Sequence, residues 1–207
     1  MDSLSSEVLR FEEESHRYWC GEREVLSTTT IIRRGGEGGF VSRYFTDEAR
    51  ARGDAVHKAI YLDIVDDLHA DSLHPVVAGF FEGWRKCRSE MSLKPVRDLC
   101  EKPDMNRLLF FAGKPDLPSM LNGRPVIIDA KTGESSTAKV QLAAYEKLDG
   151  IAEFMATSKR PGAPTRFDLR LFQNGTYKLR PHTSPNDWLK FVQCLRVIRD
   201  GREYNFT

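Results

Sequence analysis

The chain of 207 residues lacks most of the features that classify a sequence at sight. Its four cysteines, Cys20, Cys87, Cys100 and Cys194, never fall in C-x-x-C spacing. A zinc ribbon or a clustered iron–sulfur motif is therefore excluded, and a reduced cytoplasmic compartment is expected. No run of about 20 apolar residues occurs, the length a membrane helix requires. The N-terminus, MDSLSSEVLRFEEE, has no apolar leader core. Neither a membrane span nor export by that route is expected. No internal repeat, low-complexity tract or G-x-x-x-x-G-K-[ST] phosphate loop is present. Charge of one sign is also lacking, since the formal net charge is +1. Any polyanionic partner must be met by local basic patches.

What remains is an ordinary globular composition, 40% hydrophobic and 29% charged, enough for a core without disulfides or a structural metal. We read one domain over residues 1–207, with a core at about 41–180, an N-terminal hairpin and loop at 10–40, and a C-terminal helix at 185–200. Phe11 to Thr30 alternates as a hairpin turning at Gly21-Glu22, followed by a polar loop, Ser27–Thr30. Arg33-Arg34-Gly35-Gly36, with Gly38-Gly39, is either a flexible connector or a phosphate-approaching segment. Thr46 is a candidate N-cap for a helix carrying Ala49, Val56, Ala59 and Ile60 on its apolar stripe. Gly53 inside that helix suggests a close neighbour. His57, at the edge of the stripe, is by itself more readily a packed or solvated residue than a ligand.

Pro75–Met91 reads as a second amphipathic helix, Val96–Cys100 as a short strand ending at Glu101, and Thr137–Leu148 as a helix that puts Gln141 and Tyr145 on one face. Pro161 and Pro164 mark a loop. A second hairpin turns at Asn174-Gly175, and Pro185–Arg199 forms a final helix with Trp188, Phe191, Val192, Leu195 and Ile198 at helical spacing.

The stretch from Ala112 to Lys131 organises the rest. Asn122-Gly123 between two apolar runs is the strongest short-range signal for a hairpin. With those two residues in the turn, Leu121 faces Arg124 and Asp116 falls opposite Asp129, with Lys131 on the same face as Asp129. Opposed carboxylates repel, so a cation, a base or solvent must relieve them. One lysine and two aspartates around a small volume suit a divalent metal and phosphodiester hydrolysis. The same spacing also fits a surface salt-bridge cluster. Pro118 and Pro125 remove ladder donors, and the strands are expected to splay past Pro118.

Gly113-Lys114-Pro115-Asp116, Asp129-Ala130-Lys131 and Gln141-Leu142-Ala143-Ala144-Tyr145 follow one another in the order G-x-x-D, (D/E)-x-K, Q-x-x-x-Y. That series resembles the core of the PD-(D/E)XK nuclease superfamily, and more narrowly its RecB-like branch with the phage-type exonucleases. Gly53-Asp54-Ala55-Val56-His57 resembles the G-x-x-x-H helix of that branch. Glu101 stands where the branch places a glutamate, while His16-Arg17-Tyr18 and Ser27–Thr30 resemble features of phage-type members. Pro115 departs from the usual pattern. Cys194, alone at the C-terminal end, departs from the iron–sulfur subset, so no such cluster is expected.

The resemblance implies an α/β, restriction-endonuclease-like core: a mixed central β-sheet flanked by helices. It implies Asp116 and Asp129 as metal ligands, with His57, Glu101 and the carbonyl of Ala130 completing one or two positions. Lys131 becomes the catalytic lysine, with Gln141 and Tyr145 steadying it or the scissile strand. Mg²⁺ is the implied metal, with Mn²⁺ able to substitute. DNA is the implied partner, contacted through Arg33, Arg34, Arg50, Arg52 and Lys58 without sequence readout. A homo-oligomer or a recombination or replication protein are further partners to test. An exonuclease is favoured over a nicking or flap endonuclease and over a non-catalytic nucleic-acid-binding module.

Overall fold

The computed structural model describes residues 7–36, 46–158 and 164–203. Gly38, Gly39 and Pro161, named above, lie outside them, as do the first residues of the expected core. Among the described residues ten strands and six α-helices form a mixed α/β fold, and the strands divide into two five-stranded sheets rather than one. In the first sheet the order is β1 (Leu9–Glu12), β2 (Arg17–Cys20), β3 (Arg23–Ser27), β6 (Phe111–Gly113) and β5 (Asp104–Asn106). In the second it is β10 (Tyr177–His182), β9 (Arg166–Leu171), β8 (Arg124–Lys131), β7 (Leu117–Leu121) and β4 (Lys94–Pro95). Each sheet has one parallel pairing, β3 with β6 and β8 with β9.

The Asn122-Gly123 hairpin forms in the register read from the sequence, from Leu121↔Arg124 to Leu117↔Ile128. Both turn residues have positive φ, 51° and 73°, the conformation of the tight turns that match strand twist. The strands part past Pro118, as expected: Pro118 pairs with Ile127 and Leu117 with Ile128 in regular register, and the pairing ends there, before Asp116 can face Asp129. Lys114-Pro115-Asp116 carries the chain between this ladder and β6 in the other sheet. The second hairpin forms around Asn174-Gly175, as read. Leu171 pairs with Tyr177 and Phe172 N–H donates to Thr176 O, leaving a three-residue loop with Gly175 at φ 77°.

Alternation along β8 sorts its side chains between two helical layers. Val126, Ile128 and Ala130 pack under α2 (Asp47–Ile64) and α3 (Pro75–Glu90), with Val56, Ile60, Phe81 and Trp84 at the centre. Ile127 faces the opposite cluster, built from α1 (Thr28–Arg34), α4 (Ala138–Tyr145), α5 (Asp149–Met155) and α6 (Asn186–Glu203). The two helices read as α2 and α3 begin where expected, capped by Thr46 Oγ1 and His74 Nδ1. No described helix is long and apolar enough to cross a membrane.

Five local expectations change. Ser27–Thr30 is not a loop: Ser27 Oγ caps α1 by accepting from Thr30 N, and Arg33 and Arg34 form its last turn. Gly35 ends that helix against Cys194 of α6, where a Cβ would meet Cys194 Cβ at 2.3 Å, so packing accounts for this glycine in place of phosphate approach. Val96–Cys100 is a 3₁₀ turn, Arg97–Leu99, rather than a strand. The helix expected over Thr137–Leu148 breaks after Tyr145 and resumes at Asp149 as α5, whose N-terminal Gly150 and Ile151 N–H groups are taken by Asp104. On α6 Phe191, Cys194 and Leu195 are buried, Trp188 and Ile198 pack against them as read, and Val192 is 37% exposed.

Asp168, on the face of β9 shared with Asp129, is buried but not unpaired. Arg180 grips it with Nε and Nη2, each at 2.9 Å, and His182 Nε2 lies 2.8 Å away. Burial alone would raise the Asp168 carboxyl, but His182 and Arg180 outweigh it and hold it well below the usual range. The folded value lies below the unfolded one, so this cluster contributes fully above about pH 4 and is lost as pH falls further. Asp168→Asn is expected to cost about 2 kcal/mol at pH 7. Thermal melts from pH 7 to pH 2 should show a smaller acid loss in the variant than in the wild type.

Candidate metal centre

The site is built where the β7–β8 ladder ends. Ile127 N–H points to β9, donating to Thr165 O, so the backbone groups of Ala130 point to the β7 side. A continued ladder would pair Ala130 with Pro115. Proline has no N–H to give, so the Ala130 carbonyl is left open on that side. His57 Nε2 fills the vacancy at 2.9 Å, which fixes the proton on that nitrogen and turns Nδ1 outward. Ala130 N–H donates to Asp116 Oδ2 at 2.9 Å, and the Pro115 carbonyl accepts from Glu101 N–H at 2.9 Å. Glu101 holds a left-handed φ of 52°, rare outside glycine and frequent where local geometry serves a site.

These bonds bring three side chains to one point. His57 Nδ1 lies 3.5 Å from Glu101 Oε1 and 3.5 Å from Asp116 Oδ2. One ligand atom from each of the three lies within 4.8 Å of the others. Lys114 Nζ, 2.9 Å from Glu101 Oε2, closes the far side and sits 5.5 Å from the centroid of the Phe11 ring. In the sequence Lys114 is only an unspecified position inside G-x-x-D. Its place as second lysine of the site depends on Glu101 folding back onto Pro115, which no sequence spacing encodes.

Asp129 is placed differently from the reading above. Its side chain joins Lys131, whose Nζ is 2.7 Å from Oδ2, and it is not part of the His57–Glu101–Asp116 group. The chain turns off the ladder at Asp116, and that turn carries its carboxylate towards α2 instead of leaving it face to face with Asp129. Both Asp129 oxygens are buried without a well-formed hydrogen bond, the close lysine contact notwithstanding. A buried carboxylate in that condition is costly. A hard metal takes carboxylate and carbonyl oxygens, and Asp116 and Glu101 beside His57 offer such donors, with Asp129 adding a further buried negative charge next to Lys131.

The charges in this volume are strongly coupled. Burial opposes the His57 imidazolium, yet Asp116 and Glu101 raise it to about 9. Burial pushes the Asp116 carboxyl up, and Asp129 and Glu101 add to this against His57 and Lys131. Burial also opposes the Lys131 ammonium, but Asp129 and then Asp116 outweigh it and raise it. At neutral pH Lys131 is therefore a cation and a proton donor.

Gln141 and Tyr145 share a face of α4, as read, and Gln141 Nε2 donates to Tyr145 Oη at 2.8 Å. No hydrogen bond joins either of them to Lys131, so the expected contact with the lysine is absent among the described residues. Tyr145 is a neutral phenol, raised far above its ordinary value by burial and by Asp116 and Asp129. Its ring lies against Gly113, which explains the glycine of G-x-x-D, because a Cβ there would come 2.5 Å from Tyr145 Cε1.

The basic residues expected to meet DNA are not gathered together. Arg33, Arg34 and Arg50 are exposed on α1 and the start of α2, and Arg52 lies over the Phe80 ring with its Nε buried and unpaired. Lys58, one residue after His57, borders an open groove of about 750 Å³ that reaches the site through Tyr61 and Glu101. Gly53 has no close neighbour, its nearest contact being Thr132 Oγ1 at 3.8 Å from a built Cβ.

Gly113→Ala should force the Tyr145 ring out of place and cost about 1–3 kcal/mol, the usual range for overpacking. The loss would be read by denaturant unfolding, and Gly53→Ala, whose Cβ would make only an ordinary contact with Thr132, should show none of that penalty. A scan against protein-family models returns no matching family, and a search of curated proteins returns no match to this chain.

Proposed function

We propose that this chain is a divalent-metal-dependent deoxyribonuclease of restriction-endonuclease-like fold, related to the RecB-like branch of the PD-(D/E)XK superfamily. The observation that carries the reading is the convergence of His57, Glu101 and Asp116 within 4.8 Å, beside a buried, unsatisfied Asp129 paired with Lys131. Asp116, Glu101 and Asp129 would hold Mg²⁺ or Mn²⁺, with His57 Nδ1 and the Ala130 carbonyl as further donors. Such an ion, when bound, polarises a phosphoryl oxygen and makes its water a better nucleophile.

The chain's own groups supply the rest. Lys131, held as an ammonium by Asp129, offers positive charge and hydrogen bonds where negative charge grows on the phosphate. Tyr145, buttressed by Gly113 and held by Gln141, offers a neutral hydroxyl beside the two aspartates. Lys114 neutralises Glu101 and keeps it from spreading away from His57. The bent β7–β8 junction fixes these groups on strand ends, which positions them more firmly than loops would. The preference for an exonuclease acting in recombination, repair or phage DNA processing, within the cytoplasm, rests on the likeness to phage-type members.

Linear end-labelled DNA should be degraded with Mg²⁺ or Mn²⁺ and left intact with EDTA, and covalently closed circles should survive. Lys131→Ala and Asp116→Ala should each abolish cleavage while remaining folded; wild-type activity in either would overturn the site. Independently of activity, Mn²⁺ should raise the melting temperature of the wild type, since a ligand that binds only the folded state stabilises it. That rise should vanish in Asp116→Ala.

A further inference from the structure

The register of the second sheet lines up cations leading away from the candidate centre. Lys131 on β8 pairs with Arg170 on β9, and Arg170 pairs with Lys178 on β10. Paired residues on neighbouring strands point to the same face, so these three form one row across about 10 Å of sheet, at roughly 4.8 Å per strand. Arg180, two residues beyond Lys178, lies on the same face diagonally next to Arg170. That this face is not the α2–α3 face follows from Tyr177 and Leu179, which alternate with them and pack into the α2–α3 cluster.

Like charges side by side on neighbouring strands are unfavourable, and the chain offsets them unevenly. Lys131 has Asp129, and Arg180 has Asp168. Arg170 pairs with Glu134, a residue of the loop after β8 whose side chain is 70% exposed, and it also stacks on Phe172. Lys178 is exposed and has no ion-pair partner among the described residues. An edge strand often carries lysines to discourage pairing with other chains. That role asks for charge on the edge, and it does not account for a row that runs inward through Arg170 to Lys131.

Resting on the nuclease reading above, we propose that the Lys131–Arg170–Lys178 row is the track along which the sugar-phosphate backbone of a DNA strand lies as it enters or leaves the candidate centre. Glu134 is its displaceable counter-ion: it neutralises Arg170 in the free protein and yields to a phosphate. The contacts are to phosphate only, so binding is indifferent to sequence and steeply salt-dependent.

The test is binding without cleavage, in EDTA, of a labelled single strand and of its duplex, each titrated at several salt concentrations. On whichever of the two the wild type binds, Arg170→Gln with Lys178→Gln should flatten log K against log[salt] by roughly 1.4 to 1.8, two phosphate contacts' worth, with the melting temperature kept. Glu134→Gln should act in the opposite direction and tighten binding. If the doubly substituted chain keeps the wild-type slope, or Glu134→Gln weakens binding, the track is wrong even though the centre may still cleave. If the wild type neither binds nor cleaves DNA under any divalent metal, the nuclease reading itself falls.

Discussion

The end of one β-ladder governs the rest of the site. Ala130 directs both of its backbone groups towards β7 at a position where its partner in register is Pro115. A proline cannot return the N–H, and the chain is already leaving for the other sheet. Ala130 therefore takes its acceptor from the Asp116 side chain and its donor from His57 on α2. Pro115 gives its carbonyl to Glu101 instead. Three backbone groups released by one interrupted pairing thus recruit the Asp116 and His57 side chains and the Glu101 backbone, the three residues that converge. Pro115, lacking an N–H, is the residue that opens the position.

Electrostatics then makes the arrangement tolerable. Asp116, Glu101 and Asp129 are three acids in a confined, mostly buried region, and His57, Lys114 and Lys131 are three cations set among them. At His57, Glu101, Asp116 and Lys131 burial works against the charged form and opposite charge works for it. The balance is incomplete at Asp129, whose oxygens lack well-formed hydrogen bonds. One strand further out the same sheet solves the same problem fully, with Asp168 held by Arg180 and His182. Asp168 has the geometry of a structural acid, and Asp129 that of an acid still short of a partner.

Much of the outline is legible from residue order. Asn-Gly turns, the cap residue Thr46, and helical spacing in α2 and α3 act through neighbours a few positions apart, and such local rules travel with the sequence. The register of the β7–β8 hairpin follows for the same reason, since a two-residue turn fixes every pair after it. Where the reading fails, a distant contact has intervened. The Ser27–Thr30 stretch becomes a helix because α6 and α4 pack on it. The helix after Thr137 breaks because Asp104 caps a new start at Gly150. The α6 stripe is narrower than its apolar spacing because only part of it meets α1 and α4.

The sequence alone determined the order and spacing of the acidic, basic and aromatic residues, and with them which pairs a hairpin or helix turn brings together: Asp129 with Lys131, Gln141 with Tyr145. Those relations depend on backbone periodicity over a few residues. Only the tertiary structure decided that Asp116 turns away from Asp129 towards His57, that Glu101 and Lys114 close the group, and that Arg170 and Lys178 fall into line with Lys131. Each of these depends on which strands become neighbours and where a ladder stops, a matter settled by packing between segments tens of residues apart.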